Sequence, residues 1–364
     1  MNMTFRRKLP LPKELKEAHP IPEAARPVVD ERRRALRAVF DGQSDRFLLI
    51  VGPCSADRAD SVLAYLSRLK SLESELGQGV FVIPRLFTIK PRSDARSYKG
   101  MLHQPDPTER PDLLRGLVAS RELHLRALCD FGYTCADEML YPDDHRYLSD
   151  LLAYVTVGAR SVEDQQHRLT ASGLDIPVGM KNPTHGDLTA MKNAVLAAHL
   201  PHTFLYRGWE VHSHGNPYAH AVLRGCVENG EHRPNYDTDI LLSLLKDARQ
   251  SALPHPAVVV DCSHSNSGKD PDRQRDVAAS VLASRRRHPE LKGFVKGLMI
   301  ESYLLDGAQP ADGGLFGCSI TDPCLGWDKT RDLLLRIADA LCNLLRSHGV
   351  RVAYHLAELR KAVH

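Results

Sequence analysis

Residues 47–55 have the sequence FLLIVGPCS, in which an apolar run stops at a glycine and a proline before a cysteine and a serine. A short run of β-branched and aliphatic residues is typical of a strand that is buried on both faces, as in a parallel sheet. The pattern of an apolar run with a polar end recurs along the chain. Eight such runs are predicted as strands: Phe47–Val51, Val80–Leu86, Thr134–Glu138, Tyr154–Val157, Pro177–Met180, Thr203–Tyr206, Ala257–Val260 and Gly297–Ile300.

Segments with helical periodicity follow these strands. They are Leu63–Leu76, Leu113–Phe131, His145–Leu152, Val162–Leu169, Leu188–Leu200, Ile240–Leu253, Val277–Arg287 and Lys329–Ser347. Eight strand–helix pairs predict an α/β fold, a closed (β/α)8 TIM barrel, with an open doubly wound sheet as the alternative. A long loop is predicted after strand six, over Gly208–Pro234. Its apolar and aromatic residues indicate a functional loop rather than disorder.

The length of 364 residues suits one barrel with extensions, or two ordinary domains. Residues 1–41 are predicted to form an N-terminal arm for subunit contacts or regulation, with helices near Lys13–His19 and Val29–Phe40. Residues 42–364 are predicted to form the catalytic barrel, ending in a short helix that begins at Arg351.

The net charge of +3 is too balanced to indicate binding to nucleic acid or to a membrane surface. No apolar stretch has the length of a signal peptide or a membrane span. The eight cysteines are scattered and contain no CxxC pair, so neither a disulfide framework nor a zinc ribbon is indicated. These features predict a cytoplasmic protein.

Polar residues stand at nearly every strand end, and the C-terminal ends of the strands are where barrels carry their chemistry. One set of these residues is basic: Arg85, Lys90, Arg92, Arg160, Lys181 and Arg224. Arginine offers a fork that matches carboxylate and phosphate, and lysine offers a point charge. Six cations predict a substrate that carries both a carboxylate and a phosphate, together with a second phosphate. For any one of them, a surface salt bridge is the alternative.

A second set combines a thiol, an imidazole and two carboxylates. Its members are Cys54, His264, Glu301 and Asp322. This mixture of sulfur, nitrogen and oxygen donors suits Mn, Fe, Co or Zn better than Mg or Ca. Taken singly, Cys54 also fits a buried small residue and His264 a hydrogen-bonded loop histidine. The prediction of a divalent metal site therefore depends on the whole set.

Several short motifs resemble those of the type I 3-deoxy-D-arabino-heptulosonate 7-phosphate (DAHP) synthases, over residues 9–345. The motifs are Gly52-Pro53-Cys54-Ser55, Lys90-Pro91-Arg92, Gly158-Ala159-Arg160-Ser161, Gly179-Met180-Lys181-Asn182, Leu223-Arg224-Gly225, Asp261-Cys262-Ser263-His264, Met299-Ile300-Glu301-Ser302 and Ser319-Ile320-Thr321-Asp322. Each motif alone is weak, but all eight occur in the family's order. The resemblance implies a TIM barrel enzyme that condenses phosphoenolpyruvate with D-erythrose 4-phosphate, the first step of the shikimate pathway.

The resemblance also implies roles for individual residues. It implies that Cys54, His264, Glu301 and Asp322 bind a divalent metal, with Asp322 also contacting substrate. It implies that the phosphoenolpyruvate carboxylate meets Arg85, Lys90 and Lys181, and that the phosphate meets Arg160, Lys181 and Arg224. Arg92 and Ser93 would bind the phosphate of the aldose, and Glu138 would lie beside phosphoenolpyruvate. Lys90, Lys181, Glu138 and His264 are the expected catalytic residues, and a homo-oligomer is the expected assembly.

One motif departs from the family. The family's phosphate anchor usually has the sequence Lys-Pro-Arg-Thr-Thr, whereas this chain has Lys90-Pro91-Arg92-Ser93-Asp94. Ser93 keeps a hydroxyl, but Asp94 places an acid beside the expected phosphate. Condensation with a different aldose phosphate is therefore one alternative. A non-catalytic phosphosugar-binding relative is another. A zinc hydrolase is a third, which would leave the six cations unexplained.

Overall fold

The structure is a computed structural model that describes residues 1–92 and 97–342. Its strands are β1 (Phe47–Gly52), β2 (Val80–Pro84), β3 (Ala136–Met139), β4 (Tyr154–Val157), β5 (Val178–Lys181), β6 (His202–Tyr206), β7 (Trp209–Ser213), β8 (Ala219–Leu223), β9 (Cys226–Glu228), β10 (Glu231–Arg233), β11 (Val258–Asp261) and β12 (Val295–Glu301). Eight of them form one parallel sheet, in the order β2-β1-β12-β11-β8-β5-β4-β3. A parallel bridge between Arg85 and Ala136 brings the two end strands together. The predicted TIM barrel is thus confirmed.

The helices lie before the first barrel strand, between the strands and after the last strand. They are α1 (Pro12–Ala18), α2 (Arg26–Phe40), α3 (Ala59–Leu76), α4 (Leu113–Phe131), α5 (His145–Leu148), α6 (Gln165–Ser172), α7 (Leu188–His199), α8 (Thr238–Gln250), α9 (Gln274–Arg287), α10 (Glu290–Phe294) and α11 (327–342). The predicted end of α11 at Ser347 and the predicted helix from Arg351 lie outside the described residues. Within the described ranges, no helix has the length and apolar character that crossing a bilayer requires.

The prediction of the sixth barrel strand was wrong. The stretch Thr203–Tyr206 belongs to β6, which pairs with β7 in an antiparallel hairpin whose turn, Arg207-Gly208, has positive φ at both residues. Half-buried and exposed residues alternate along β6, whereas all five residues of β8 are buried. Since a barrel strand is covered on both faces, β8 takes the sixth position. It lies inside the segment that was predicted as a loop.

Helix α2 closes the N-terminal end of the barrel. Its Leu36, Val39 and Phe40 join the apolar cluster that fills the barrel interior. Arg33 donates hydrogen bonds to the carbonyl oxygens of Ser149 and Leu152, just before β4. The C-terminal end of the barrel is left for the polar residues that follow the strands. The division into an arm (1–41) and a catalytic domain (42–364) stays a prediction.

Candidate active site

A cavity of about 100 Å³ opens among the C-terminal ends of the barrel strands. Its lining is strongly charged. The lining residues are Lys90, Pro91, Arg92, Glu138, Ala159, Arg160, Lys181, Arg224, His264, Lys269 and Asp322. Six cations face two carboxylates, so the cavity favours anionic ligands.

Five of the six predicted cations line this cavity: Lys90, Arg92, Arg160, Lys181 and Arg224. The sixth basic member is Lys269, which the sequence analysis missed. It lies in the turn after His264 with a positive φ of 63°, and its ammonium is 3.2 Å from Asp322 Oδ1. Burial lowers the pKa of the Arg224 guanidinium. Its buried Nη1 has no hydrogen-bond partner among the described residues, so it is a donor available to an anion.

Arg85 lies beneath the cavity and is fully buried. It donates hydrogen bonds to the carbonyl oxygens of Pro53 and Cys54, the latter at 2.8 Å, and to Glu301 Oε1 at 2.8 Å. These contacts join the ends of β1, β2 and β12. Direct contact of Arg85 with a substrate carboxylate therefore stays a prediction, whereas its contact with two of the predicted metal ligands is part of the structure.

Glu138 and Lys181 form a buried ion pair on the wall of the cavity, with Nζ 2.9 Å from Oε2. Burial acts to raise the pKa of Glu138, but the charges of Lys181 and Lys90 outweigh it and lower that pKa. The carboxylate is thus held in its ionised form. An ionised Glu138 can accept a proton or a hydrogen bond, but it carries no proton that it could donate.

Phe87 supports the cations from below and was also missed by the sequence analysis. Its ring centroid lies 3.8 Å from Arg85 Cζ, 4.9 Å from Lys181 Nζ and 5.8 Å from Lys90 Nζ. The face of an aromatic ring attracts cations. Phe87 therefore offsets part of the cost of bringing three positive groups together away from water.

Three of the four predicted metal ligands lie together in the structure. One ligand atom from each of Cys54, Glu301 and Asp322 lies within 4.8 Å of the other two. The fourth residue, His264, has its Nε2 3.8 Å from Glu301 Oε1. Burial, followed by the charge of Glu301, raises the pKa of the Cys54 thiol. This donor set of thiol, imidazole and carboxylates fits a divalent transition metal.

The orientation of His264 fits the same use. Ser263 Oγ lies 2.8 Å from its Nδ1, and Asp261 Oδ2 lies 3.0 Å from it. Metal-binding histidines commonly have one ring nitrogen held by a carboxylate or similar group, which leaves the other free to coordinate. Burial opposes ionisation of Asp322, yet Lys90, His264 and Lys269 lower its pKa to about 2, so it is an anion at neutral pH.

Gly158, at the end of β4, leaves room for the Glu138 carboxylate. A Cβ at this position would lie 2.7 Å from Glu138 Oε1. Gly158→Ala is expected to displace that carboxylate from Lys181. It should thereby weaken binding of phosphoenolpyruvate, the substrate that the motif resemblance implies, by about tenfold for a lost charge-assisted hydrogen bond. Calorimetric titration measures the change. Gly173→Ala, where a Cβ would meet only ordinary contacts, is the control. Equal affinity in both variants would contradict the expectation.

Ser93, Asp94 and Arg96 lie outside the described residues. Arg92, the last residue described before them, donates a 3.4 Å hydrogen bond from Nε to the carbonyl oxygen of Tyr98. The predicted contact of Ser93 with an aldose phosphate and the effect of Asp94 on that contact therefore stay predictions.

Comparisons with known proteins agree with this geometry. Residues 21–335 match the model of the DAHP synthetase I family. The chain is 35% identical to the Tyr-sensitive phospho-2-dehydro-3-deoxyheptonate aldolase of Salmonella typhimurium, over 97% of this chain and 98% of that protein. It is 35% identical to the Phe-sensitive enzyme of Escherichia coli, over 91% and 93%. The solved structure of the Francisella tularensis phospho-2-dehydro-3-deoxyheptonate aldolase superposes with a TM-score of 0.85 at 28% identity, covering 93% of this chain and 98% of that one.

Proposed function

This chain belongs to the DAHP synthetase I family, and we propose that it condenses phosphoenolpyruvate with D-erythrose 4-phosphate and water to give DAHP and phosphate. The observation that carries the proposal is the cavity itself. Six cations surround a space beside the cluster of Cys54, Glu301 and Asp322. Two phosphates and one carboxylate are the anions that such a surplus of positive charge can accommodate.

The reaction joins C3 of the enol phosphate to the aldehyde carbon of the aldose. Positive character then develops at C2, water adds there, and the C–O bond to phosphate breaks. Lys90 and Lys181 would bind the carboxylate, while Arg160, Lys181 and Arg224 would bind the phosphate. Holding both anions in one orientation offsets their repulsion and brings the reacting carbons together. The ionised Glu138 would accept a proton or orient the attacking water.

We further propose that Cys54, His264, Glu301 and Asp322 hold a divalent ion, of the Mn, Fe, Co or Zn type. When bound, such an ion supplies Lewis-acid polarisation of an aldehyde oxygen. The chain's own contribution is to keep the donors in place. Arg85 holds Glu301, and Asp261 with Ser263 holds His264.

Phosphate release is the test of this function. Phosphoenolpyruvate is incubated with and without erythrose 4-phosphate, and with and without a chelator. Release that requires the aldose and is lost with the chelator supports the proposal. Release with arabinose 5-phosphate or ribose 5-phosphate but not with the tetrose would favour the alternative substrate that Asp94 suggests. No release with any aldose, despite intact phosphoenolpyruvate binding, would favour a non-catalytic relative.

Arg92→Ala is expected to change the Michaelis constants for the two substrates by different amounts. Arg92 lines the cavity, and Pro91 fixes the backbone between it and Lys90. We expect the Michaelis constant for erythrose 4-phosphate to rise about tenfold or more, as for a lost hydrogen bond to a charged group, while that for phosphoenolpyruvate changes little. Steady-state kinetics with each substrate varied in turn measure the split. An equal rise for both substrates would contradict the assignment.

The cellular location and the oligomeric state are proposals as well. All eight cysteines are free thiols, which suits the predicted reducing cytoplasm. On the β6–β7 hairpin, Leu205 and Trp209 are 77% and 74% exposed. Large exposed apolar side chains on one hairpin support the expected contact between copies of the chain. Light scattering at several protein concentrations measures the oligomeric state.

A further inference from the structure

The barrel has a weak joint between β2 and β3. Every other pair of neighbouring barrel strands shares three to five paired residues. Between β2 and β3, within the described part of the chain, the ladder is reduced to the single bridge between Arg85 and Ala136, with one hydrogen bond of 2.9 Å from Leu86 N to Ala136 O. We call this joint the seam. Because this ladder is so short, contacts other than backbone pairing must fix the C-terminal ends of β2 and β3 relative to each other.

Asp137 is the side chain that spans the seam. It lies in β3 and is 4% exposed. Its Oδ1 accepts hydrogen bonds from Thr88 N at 2.9 Å and Glu138 N at 2.7 Å, and its Oδ2 accepts one from Thr88 Oγ at 2.6 Å. Two of these three donors lie across the seam, on the segment that continues β2. One carboxylate therefore ties together the C-terminal ends of both strands.

The residues joined by these hydrogen bonds are close in sequence to residues that line the active-site cavity. Thr88 is two residues before Lys90, and Asp137 is directly before Glu138. Lys90 and Glu138 both line the cavity, and Glu138 pairs with Lys181 there. The position of Lys90 relative to the Glu138–Lys181 pair is thus set across the weakest joint of the barrel, with Asp137 as the connection.

The surroundings of Asp137 argue against a packing role alone. Its neighbour Met139 packs among the residues between strands and helices, and the alternation of a strand places Asp137 on that same side, facing α4. His124 of α4 is 2% exposed, with Nε2 3.5 Å from Asp137 Oδ2. Burying a carboxylate and an imidazole in this apolar layer is costly. An aliphatic side chain would pack there without that cost. The contribution of Asp137 that an aliphatic side chain could not make is therefore its set of hydrogen bonds.

A small cavity lies beside this carboxylate. Its volume of about 20 Å³, lined in part by Asp137, Ser120 and His145, is enough for about one water molecule. Ser120 Oγ and His145 Nδ1 are buried and have no partner among the described residues.

We propose that Asp137 is a positioning residue that fixes Lys90 against Glu138 and Lys181 across the seam, so that all three can bind one molecule of phosphoenolpyruvate. The inference rests on the proposed function. It concerns a residue that does not line the cavity and that touches the reaction only through Thr88 and Glu138.

The test compares three variants. Asp137→Ala removes all three hydrogen bonds, and Thr88→Val removes only the one from the hydroxyl group. Asp150→Ala is the matched control, because Asp150 receives two hydrogen bonds of 2.9 Å from Arg121 of the same helix α4 but lies at the other end of the barrel. We expect Asp137→Ala to lower kcat/KM for phosphoenolpyruvate by about 10- to 100-fold, the size of effect that misplaced binding groups produce, and Thr88→Val to lower it less. Asp150→Ala is expected to lower the melting temperature with kcat and KM unchanged.

A second readout separates this inference from the function on which it rests. Calorimetric affinity for phosphoenolpyruvate and amide hydrogen exchange over residues 86–90 and 136–139 need no turnover. In Asp137→Ala, the affinity should fall and exchange in both segments should become faster. A folded Asp137→Ala with wild-type affinity and exchange overturns the inference, as does an equal loss of affinity in Asp150→Ala. If the wild type releases no phosphate, the proposed function fails, and these two measurements still decide the role of Asp137.

Discussion

Lys181→Met is expected to weaken phosphoenolpyruvate binding by about 2–5 kcal/mol, the usual cost of removing one partner from a buried, hydrogen-bonded charge pair. That range corresponds to roughly 30-fold to a few thousand-fold in the dissociation constant. Two reasons combine. The ligand loses a cation that we propose contacts both its carboxylate and its phosphate, and the buried Glu138 loses its 2.9 Å partner. Calorimetric titration of phosphoenolpyruvate measures the effect.

Lys192→Met is the matched control, since Lys192 forms a 2.8 Å pair with Asp247 that is 40% and 35% exposed. Surface pairs of this kind are worth about 0–1 kcal/mol, so this variant should bind phosphoenolpyruvate like the wild type. Wild-type affinity in Lys181→Met would contradict the assignment of Lys181.

The pH dependence of stability gives an independent check of the same pair. Although burial alone would raise it, the pKa of Glu138 is lowered in the folded protein by Lys181 and Lys90. A carboxyl with a lowered pKa stabilises the fold at pH above its unfolded value and loses that contribution as the pH falls through the folded value. The difference in free energy of unfolding between wild type and Lys181→Met should therefore be largest near neutral pH. It should shrink as the pH falls to about 4 and below.

Local signals explain which parts of the fold could be predicted from the sequence. The bounds predicted for α4, Leu113–Phe131, agree with the structure because Asp112 caps its first turn and Gly132 ends it in the left-handed conformation. The sixth strand was misplaced because two apolar runs competed for one position. The two-residue turn at Arg207-Gly208 was the available sign of a hairpin. Burial on both faces, which separates β8 from β6, is a property of the assembled barrel.

The candidate site shows the same difference between what local sequence signals predict and what only the assembled barrel determines. Residues at strand ends, such as Lys90 and His264, could be predicted because every barrel places strand ends at one mouth. Phe87 and Lys269 were missed, and Asp137 was predicted only as a polar residue at a strand end, because their importance comes from what lies next to them after folding. Nothing in the sequence near Asp137 indicates that its partners are Thr88 and His124, which lie in other elements. The detailed contacts of Arg85 likewise depend on three strand ends that are far apart in sequence.

Removal of divalent metal is expected to abolish turnover, with Mn or Co restoring it. The reason is that Cys54, Glu301 and Asp322 bring a thiol and two carboxylates to within 4.8 Å of one another. Like charges at such a site repel one another unless a cation or protons neutralise them. A cation that binds the folded protein also stabilises it, by about 2.7 kcal/mol at a concentration of 100 times the dissociation constant. The melting temperature should therefore fall when the metal is removed and rise when it is returned.

His264→Ala is expected to lose both metal and turnover while remaining folded. The imidazole is 13% exposed and its Nδ1 is held by Ser263 and Asp261, so its loss leaves the barrel core intact but removes the nitrogen donor 3.8 Å from Glu301. His212→Ala, on the β6–β7 hairpin, is the control and should bind metal as the wild type does. Elemental analysis gives the ions bound per chain, and thermal unfolding with and without Mn gives a readout that needs no turnover. Full activity in protein shown to be free of metal, or an unchanged metal content in His264→Ala, would rule out this metal site, because the imidazole is its only nitrogen donor among the four predicted ligands.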